Sequence, residues 1–131
     1  MRTYWAVAFG AALGGVARYY LASALQQRLG ATFPWGTLVV NVSGSLLLGV
    51  LIRYALATPT VSVEMRALLT TGFCGGYTTF STYSYETATL LEDGQYGRAG
   101  TYALGSVLLA LAATFAGFVL ARELIALRER V

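Results

Sequence analysis

The chain lacks the side chains on which most enzymes depend. It has no histidine and no lysine, and Cys74 is its only cysteine. One cysteine excludes both an internal disulfide and a multi-cysteine metal site. We expect Cys74 to be a small apolar packing residue. Since no paired carboxylates lie inside the apolar segments, nucleophilic and metal-dependent catalysis lack their usual residues. The sequence therefore predicts a protein that is not an enzyme.

Charge is also scarce. Only 11% of the residues are charged, 56% are apolar, and the mean hydropathy is +0.61. These values are typical of an integral membrane protein and not of a soluble domain. The net charge of +3 comes from arginines that stand singly at segment ends and form no patch. We therefore expect no nucleic-acid partner.

Four apolar segments are long enough to cross a bilayer and predict a single all-α, multi-pass domain over residues 1–131. They cover about residues 4–25, 35–53, 67–91 and 99–121. A cleavable signal peptide is the alternative for the first, because Arg2 precedes it and Ala22-Ser23-Ala24 resembles a cleavage site. Loop arginines set the orientation only weakly. We expect the protein in the cell inner membrane or the plasma membrane.

The third segment is predicted to be a broken helix. Gly75 and Gly76 precede Thr78 and Thr79, and both residue types weaken an α-helix. Peptide groups freed by a break cannot face lipid, so the break must be buried in protein or line a watery path. Freed carbonyls suit a cation, and freed N–H groups suit an anion. A kink that serves only close packing is the alternative.

Polar stripes run along the second and fourth segments. Thr37, Asn41 and Ser45 recur every four residues in the second, as do Tyr102 and Ser106 in the fourth. Asn41 is the only asparagine. Its amide needs a partner in hydrocarbon, which is either a neighbouring helix or an ion in a pore.

Aromatic and charged residues add candidates. Phe80 and Tyr83 share a helical face, where their ring edges either coordinate an anion or pack in a core. Arg18 is costly to expose to lipid, so it either reaches the membrane surface or provides positive charge at an aqueous entrance. We expect Glu86 to be an interfacial or structural carboxylate and not a proton carrier.

Together these motifs resemble the Fluc/CrcB fluoride channel family across essentially the whole chain. The matching residues are Gly14-Gly15 with Arg18-Tyr19, Asn41 with Gly44 and Gly49, and the run from Gly72 to Thr82. The run is the most specific of the three. The resemblance implies an antiparallel, dual-topology homodimer in membrane lipid, with two pores that export fluoride passively and protect the cell from fluoride toxicity.

The resemblance also implies roles for individual residues. It assigns the backbone carbonyls of Gly75 and Thr78 to a structural sodium ion at the break. It assigns the fluoride pathway to Asn41, Phe80, Tyr83, Tyr102, Ser106 and Arg18, with Ser81, Thr82 and Thr37 as further hydroxyl donors. Tyr83 stands where the family has a second phenylalanine, and Ala110 where it has a serine.

Two other functions remain open from the residues alone. A proton-coupled drug exporter of similar length needs a carboxylate within the membrane, and the first, second and fourth segments contain none. An assembly subunit would use its glycines and hydroxyls only for packing. That function predicts no ion flux and no effect of substituting Asn41.

Overall fold

The computed structural model describes all 131 residues as helices joined by short turns, without strands. In chain order the elements are α1 (Arg2–Leu29), α2 (Trp35–Leu56), α3 (Val63–Ala67), a π-helical segment (Leu68–Cys74), α4 (Gly75–Tyr77), α5 (Phe80–Glu92) and α6 (Tyr96–Glu129). This confirms the all-α prediction. By length and composition, two of the helices, α2 and α6, are long and apolar enough to cross a membrane.

Local sequence explains where the helices begin and end. Gly30 ends α1 with φ of 92°, a value that residues with a β-carbon avoid. Pro34 directly precedes α2, which suits its fixed φ. The Ser62 hydroxyl accepts a hydrogen bond from the Met65 amide and so caps α3. The first, second and fourth predicted segments fall in α1, α2 and α6, and the third is divided among the elements from α3 to α5.

Glycines bring the helices together at two crossings. A β-carbon on Gly49 of α2 would lie 2.6 Å from the Thr114 carbonyl oxygen of α6, and one on Gly117 would lie 2.5 Å from the Leu46 carbonyl oxygen. In the same way, β-carbons on Gly10 and Gly14 of α1 would meet carbonyl oxygens of the π-helical segment. Backbone therefore packs directly on backbone, as small-residue motifs permit in membrane proteins.

Most large apolar side chains lie on the outside of the chain. Only 16 of 131 residues are buried, whereas Trp5, Phe80 and Phe115 are all exposed. A soluble domain of this length would cover such residues in a core. The outward-facing apolar surface, together with the apolar helices, fits a membrane protein.

Candidate functional site

The third segment is interrupted, and the interruption falls on its threonines. Thr78 and Thr79 are extended, with φ of −97° and −152°, and α5 begins at the next residue. Gly75, by contrast, keeps helical angles. A β-carbon on Gly76 would lie 2.5 Å from the Ala11 carbonyl oxygen, so this glycine serves the packing against α1. The extended stretch suits the β-branched threonines.

Side chains from two other helices bind the peptide groups at the interruption. The Asn41 Nδ2 donates to the Thr79 carbonyl at 3.1 Å, and the Thr79 amide donates to Asn41 Oδ1 at 2.8 Å. From α1, the Arg18 Nε donates to the Gly76 carbonyl at 3.0 Å. The Thr78 carbonyl oxygen accepts no backbone or side-chain hydrogen bond. The interruption therefore leaves the Thr78 carbonyl oxygen without a hydrogen-bond donor from the chain.

Asn41 has a fixed orientation. Only its oxygen can accept the Thr79 amide proton, so its nitrogen must face the Thr79 carbonyl. This is the interhelical hydrogen bond that was one of the two predicted roles. The same side chain also lines a cavity, and its second Nδ2–H has no partner in the chain. Asn41 can therefore form the interhelical hydrogen bond and still direct one N–H toward an ion in the cavity.

An uncharged cavity of about 250 Å³ lies between α2, α5, α6 and the interruption. Its lining residues are Asn41, Gly44, Ser45, Leu48, Thr78, Thr79, Phe80, Tyr83, Ser106, Val107 and Ala110. Phe80 is 77% exposed, so the cavity opens to the outside of the chain. The cavity combines polar hydrogen-bonding groups with aromatic rings and contains no fixed charge.

Three aromatic rings extend in series from the mouth of the cavity into the chain. The ring centroids of Phe80 and Tyr83 are 5.5 Å apart, and those of Tyr83 and Tyr102 are 5.4 Å apart. The Tyr83 hydroxyl donates to the Ala103 carbonyl of α6 at 2.9 Å. Tyr83 therefore presents its ring to the cavity while its hydroxyl is already hydrogen-bonded.

Ser106 lines the cavity from the α6 side. Its side chain is 6% exposed, and its Oγ has no hydrogen-bond partner. Leaving a buried hydroxyl unpaired costs about 1–3 kcal/mol. Because Ser106 lines the cavity, its unpaired hydroxyl is a candidate donor to a ligand there.

Glu86 joins two of the predicted hydroxyls on the far side of the aromatic series. The Thr37 hydroxyl donates to Glu86 Oε1 at 2.5 Å, and the Tyr102 hydroxyl donates to Oε2 at 3.1 Å. These bonds connect α2, α5 and α6. Both hydroxyls are therefore hydrogen-bonded to the Glu86 carboxylate, and neither residue lines the cavity.

The structure thus divides the predicted pathway residues into groups. Asn41, Phe80, Tyr83 and Ser106 meet in one cavity. Arg18 lies at the interruption, and Thr37 and Tyr102 bind Glu86. Ser81 and Thr82 lie in the first turn of α5, where both hydroxyls are within hydrogen-bond distance of Thr79 Oγ1. Their roles toward fluoride stay predictions.

Sequence reasoning missed Thr79 and Ser45 as residues of the site. Thr79 supplies the peptide groups that Asn41 binds, and Ser45 lines the cavity one helical turn further along α2. The polar stripe of α2 already contained the signal for Ser45. The sequence marked Thr79 only as a residue that weakens the helix, because Asn41 binds its peptide groups and not its side chain.

Comparisons with known proteins identify the family of this chain. The model of the family described as CrcB-like protein, Camphor Resistance (CrcB), matches residues 5–118. A Geobacter sulfurreducens protein named fluoride-specific ion channel FluC is 51% identical over 124 residues, which cover 95% of this chain and 100% of that protein. A Thermus thermophilus protein of the same name is 46% identical over 125 residues, covering 95% and 99%.

These relatives are named as ion channels, so the prediction that the chain is not an enzyme is confirmed. The match includes residues of every helix of the fold, the interruption and all residues of the cavity. The chain therefore belongs to the CrcB family, as its motifs predicted.

Proposed function

We propose that the chain is a fluoride-selective channel that lets fluoride leave the cell passively and so protects it from fluoride toxicity. The names of its relatives support the fluoride channel. The observation that carries the proposal is the cavity, where the free N–H of Asn41, the unpaired hydroxyl of Ser106 and the exposed ring of Phe80 surround an uncharged space.

The chemistry of this cavity suits a small, strongly hydrated anion. A channel must replace the hydration shell with protein groups that bind well enough for entry and weakly enough for exit. Neutral N–H and O–H donors meet that requirement, and the positive edges of Phe80 and Tyr83 add attraction without a full charge. A lysine or arginine among them would hold the ion too tightly. A negative cell interior would then drive fluoride outward.

The proposed assembly is an antiparallel, dual-topology homodimer with four spans per chain and two pores, in the cell inner membrane or plasma membrane. Two features of the single chain support it. The cavity is open at the exposed Phe80, so a second copy would close it. The glycines of α6 at 97, 100 and 105 have open space where a β-carbon would lie, so another helix could approach there.

A structural sodium ion is the proposed cofactor. The unpaired Thr78 carbonyl oxygen is the kind of hard ligand that an alkali cation takes, and the Gly75 carbonyl would join it. No cluster of histidine, cysteine and carboxylate ligands exists that would favour another metal. In a dimer the ion would neutralise carbonyl dipoles from both copies.

Replacing sodium with N-methylglucamine in the buffer is expected to lower the melting temperature of the protein, because the carbonyl oxygens would lose their cation. An unchanged melting temperature would contradict a structural sodium ion.

Fluoride efflux from liposomes tests the function directly. Liposomes that contain the purified protein are loaded with potassium fluoride and made permeable to potassium. A fluoride electrode then measures fluoride release, and a matched trial with potassium chloride measures chloride release. Rapid fluoride release without chloride release is expected. Absence of fluoride release from protein that is well folded and dimeric would contradict the channel.

The variant Ser106→Ala tests whether the Ser106 hydroxyl acts in fluoride conduction or only in the stability of the fold. Because the Ser106 hydroxyl has no partner in the chain, its loss is expected to leave the melting temperature unchanged or slightly raised. Fluoride flux is expected to fall about tenfold, since one donor worth roughly 1.5 kcal/mol is lost. Unchanged flux, measured by the same electrode assay, would remove Ser106 from the pathway.

For Tyr83→Phe we expect lower stability with little change in fluoride flux, which is the reverse of the result expected for Ser106→Ala. This change keeps the ring that lines the cavity and deletes the hydrogen bond to Ala103, at a cost of about 1 kcal/mol of stability. Flux should stay within about twofold of the unmodified protein. A tenfold loss of flux at unchanged melting temperature would mean that the hydroxyl contacts the ion.

A further inference from the structure

A second cavity lies at the other end of α2, and it differs in character from the first. It measures about 570 Å³ and is lined by Arg53, Leu56, Ala57, Phe118, Val119, Arg122 and Ile125. We refer to it as the arginine groove. Two guanidinium groups thus lie beside five apolar residues, between the last turn of α2 and the C-terminal part of α6. The proposed fluoride pathway uses none of these residues.

The two arginines lack anionic partners within the chain. The Arg53 guanidinium carbon lies 4.4 Å from the centre of the Phe118 ring, and neither Arg53 nor Arg122 forms an ion pair or a hydrogen bond. A guanidinium stacked on a ring still presents its N–H edge outward. The groove therefore offers fixed donors and positive charge that nothing in the chain neutralises.

The same end of the chain carries more positive charge and is held in shape. Arg128 of α6 donates to the Thr58 hydroxyl at 2.9 Å, which fastens the end of α6 to the turn after α2. Arg66 of α3 donates to the Thr58 carbonyl at 3.4 Å, and its Nε is buried without a partner. Two more arginines thus lie at the turn that follows the groove residue Ala57, and their hydrogen bonds hold this turn in place without a ligand.

We propose that the arginine groove binds an anionic phospholipid. Arg53 and Arg122 would bind the phosphate, and Leu56, Val119 and Ile125 would contact an acyl chain. Val119 is 50% exposed and Leu56 67%, so both are available to a lipid tail. Arg53 lies in the last turn of an apolar helix, the depth at which lipid headgroups meet membrane proteins. Basic pockets between membrane helices are known to hold such headgroups.

Native mass spectrometry of the full-length protein in detergent tests the site with phosphatidylglycerol and phosphatidylcholine as probes. Phosphatidylglycerol is expected to bind preferentially. The double change Arg53→Gln and Arg122→Gln should weaken its binding roughly 25-fold, given the usual contribution of each arginine near an anionic headgroup. The matched control, Arg2→Gln with Arg130→Gln, removes the same charge from the same end outside the groove and should leave binding unchanged.

A third variant tests the apolar half of the groove without changing charge. Val119→Trp would fill the space for an acyl chain, so lipid binding should fall while both arginines remain. Unchanged phosphatidylglycerol binding in this variant would mean that no acyl chain lies in the groove. Competition by inorganic phosphate at equal affinity would mean that the ligand is a free anion, and either result would overturn the proposal. The proposal would also be overturned if the double groove variant and its control lost phosphatidylglycerol binding equally. A groove variant that changed its oligomeric state but kept its lipid would overturn it as well. None of these readouts depends on fluoride conduction.

Discussion

Asn41→Asp is expected to stop fluoride conduction. The change places a carboxylate in a cavity whose other lining residues carry no charge. Two like charges about 4 Å apart repel by about 4 kcal/mol at an effective dielectric constant of 20, which corresponds to roughly a thousandfold in rate. The new oxygen would also face the Thr79 carbonyl in place of the present N–H donor. Liposome efflux, read with a fluoride electrode, measures the loss.

The control for this variant is Gln27→Glu. It makes the same amide-to-carboxylate change at an exposed position near the end of α1, far along the chain from the cavity. Its flux should match that of the unmodified protein. The Asn41 variant must also remain folded and in the same oligomeric state as the unmodified protein, since loss of one hydrogen bond to the interruption costs about 1 kcal/mol. Undiminished flux through Asn41→Asp would show that the ion does not pass this residue.

The second large effect is expected from Gly14→Ala. A β-carbon at this position would meet the Phe73 carbonyl oxygen and lie 2.8 Å from the Tyr77 amide nitrogen. Both are backbone atoms next to the interruption, so neither can move aside without shifting the third segment. Overpacking of this kind costs roughly 3 kcal/mol. We expect a melting temperature about 10 °C lower and a poor yield of folded protein.

The neighbouring residue provides a matched comparison. Gly15 has nothing within 4 Å of its ideal β-carbon, so Gly15→Ala adds the same methyl group to open space. Since alanine is the better helix former, this variant should be as stable as the unmodified protein or slightly more so. Equal destabilisation of both variants would contradict the packing of α1 on the third segment.

The membrane character, the helical class and the break in the third segment could all be predicted from the sequence. Composition and segment length indicate the first two, because so apolar a chain with four apolar segments of membrane-spanning length is not typical of a soluble protein. The break was predicted from Gly75 and Gly76 together with the threonines that follow, and it falls on the threonines, whose β-branched side chains favour extended backbone. The stripe containing Asn41 was also visible, because helical periodicity depends only on spacing.

The partners of each polar side chain could not be predicted in the same way. Thr37 and Ser106 belong to equivalent stripes, yet the first binds Glu86 and the second has no partner. The difference depends on how α2, α5 and α6 cross, which spacing along one helix does not contain. Arg18 is a similar case. Its bond to Gly76 requires α1 to lie against the third segment, 58 residues further along the chain.

The sequence by itself thus determined the class of the protein, its family and the residue types of the site. Those properties follow from composition, periodicity and a specific local motif. Only the tertiary structure decided that Asn41, Phe80, Tyr83 and Ser106 share a cavity while Thr37 and Tyr102 bind a carboxylate. It also placed Arg53 beside Arg122, because close glycine contacts between α2 and α6 fix which turns of the two helices meet.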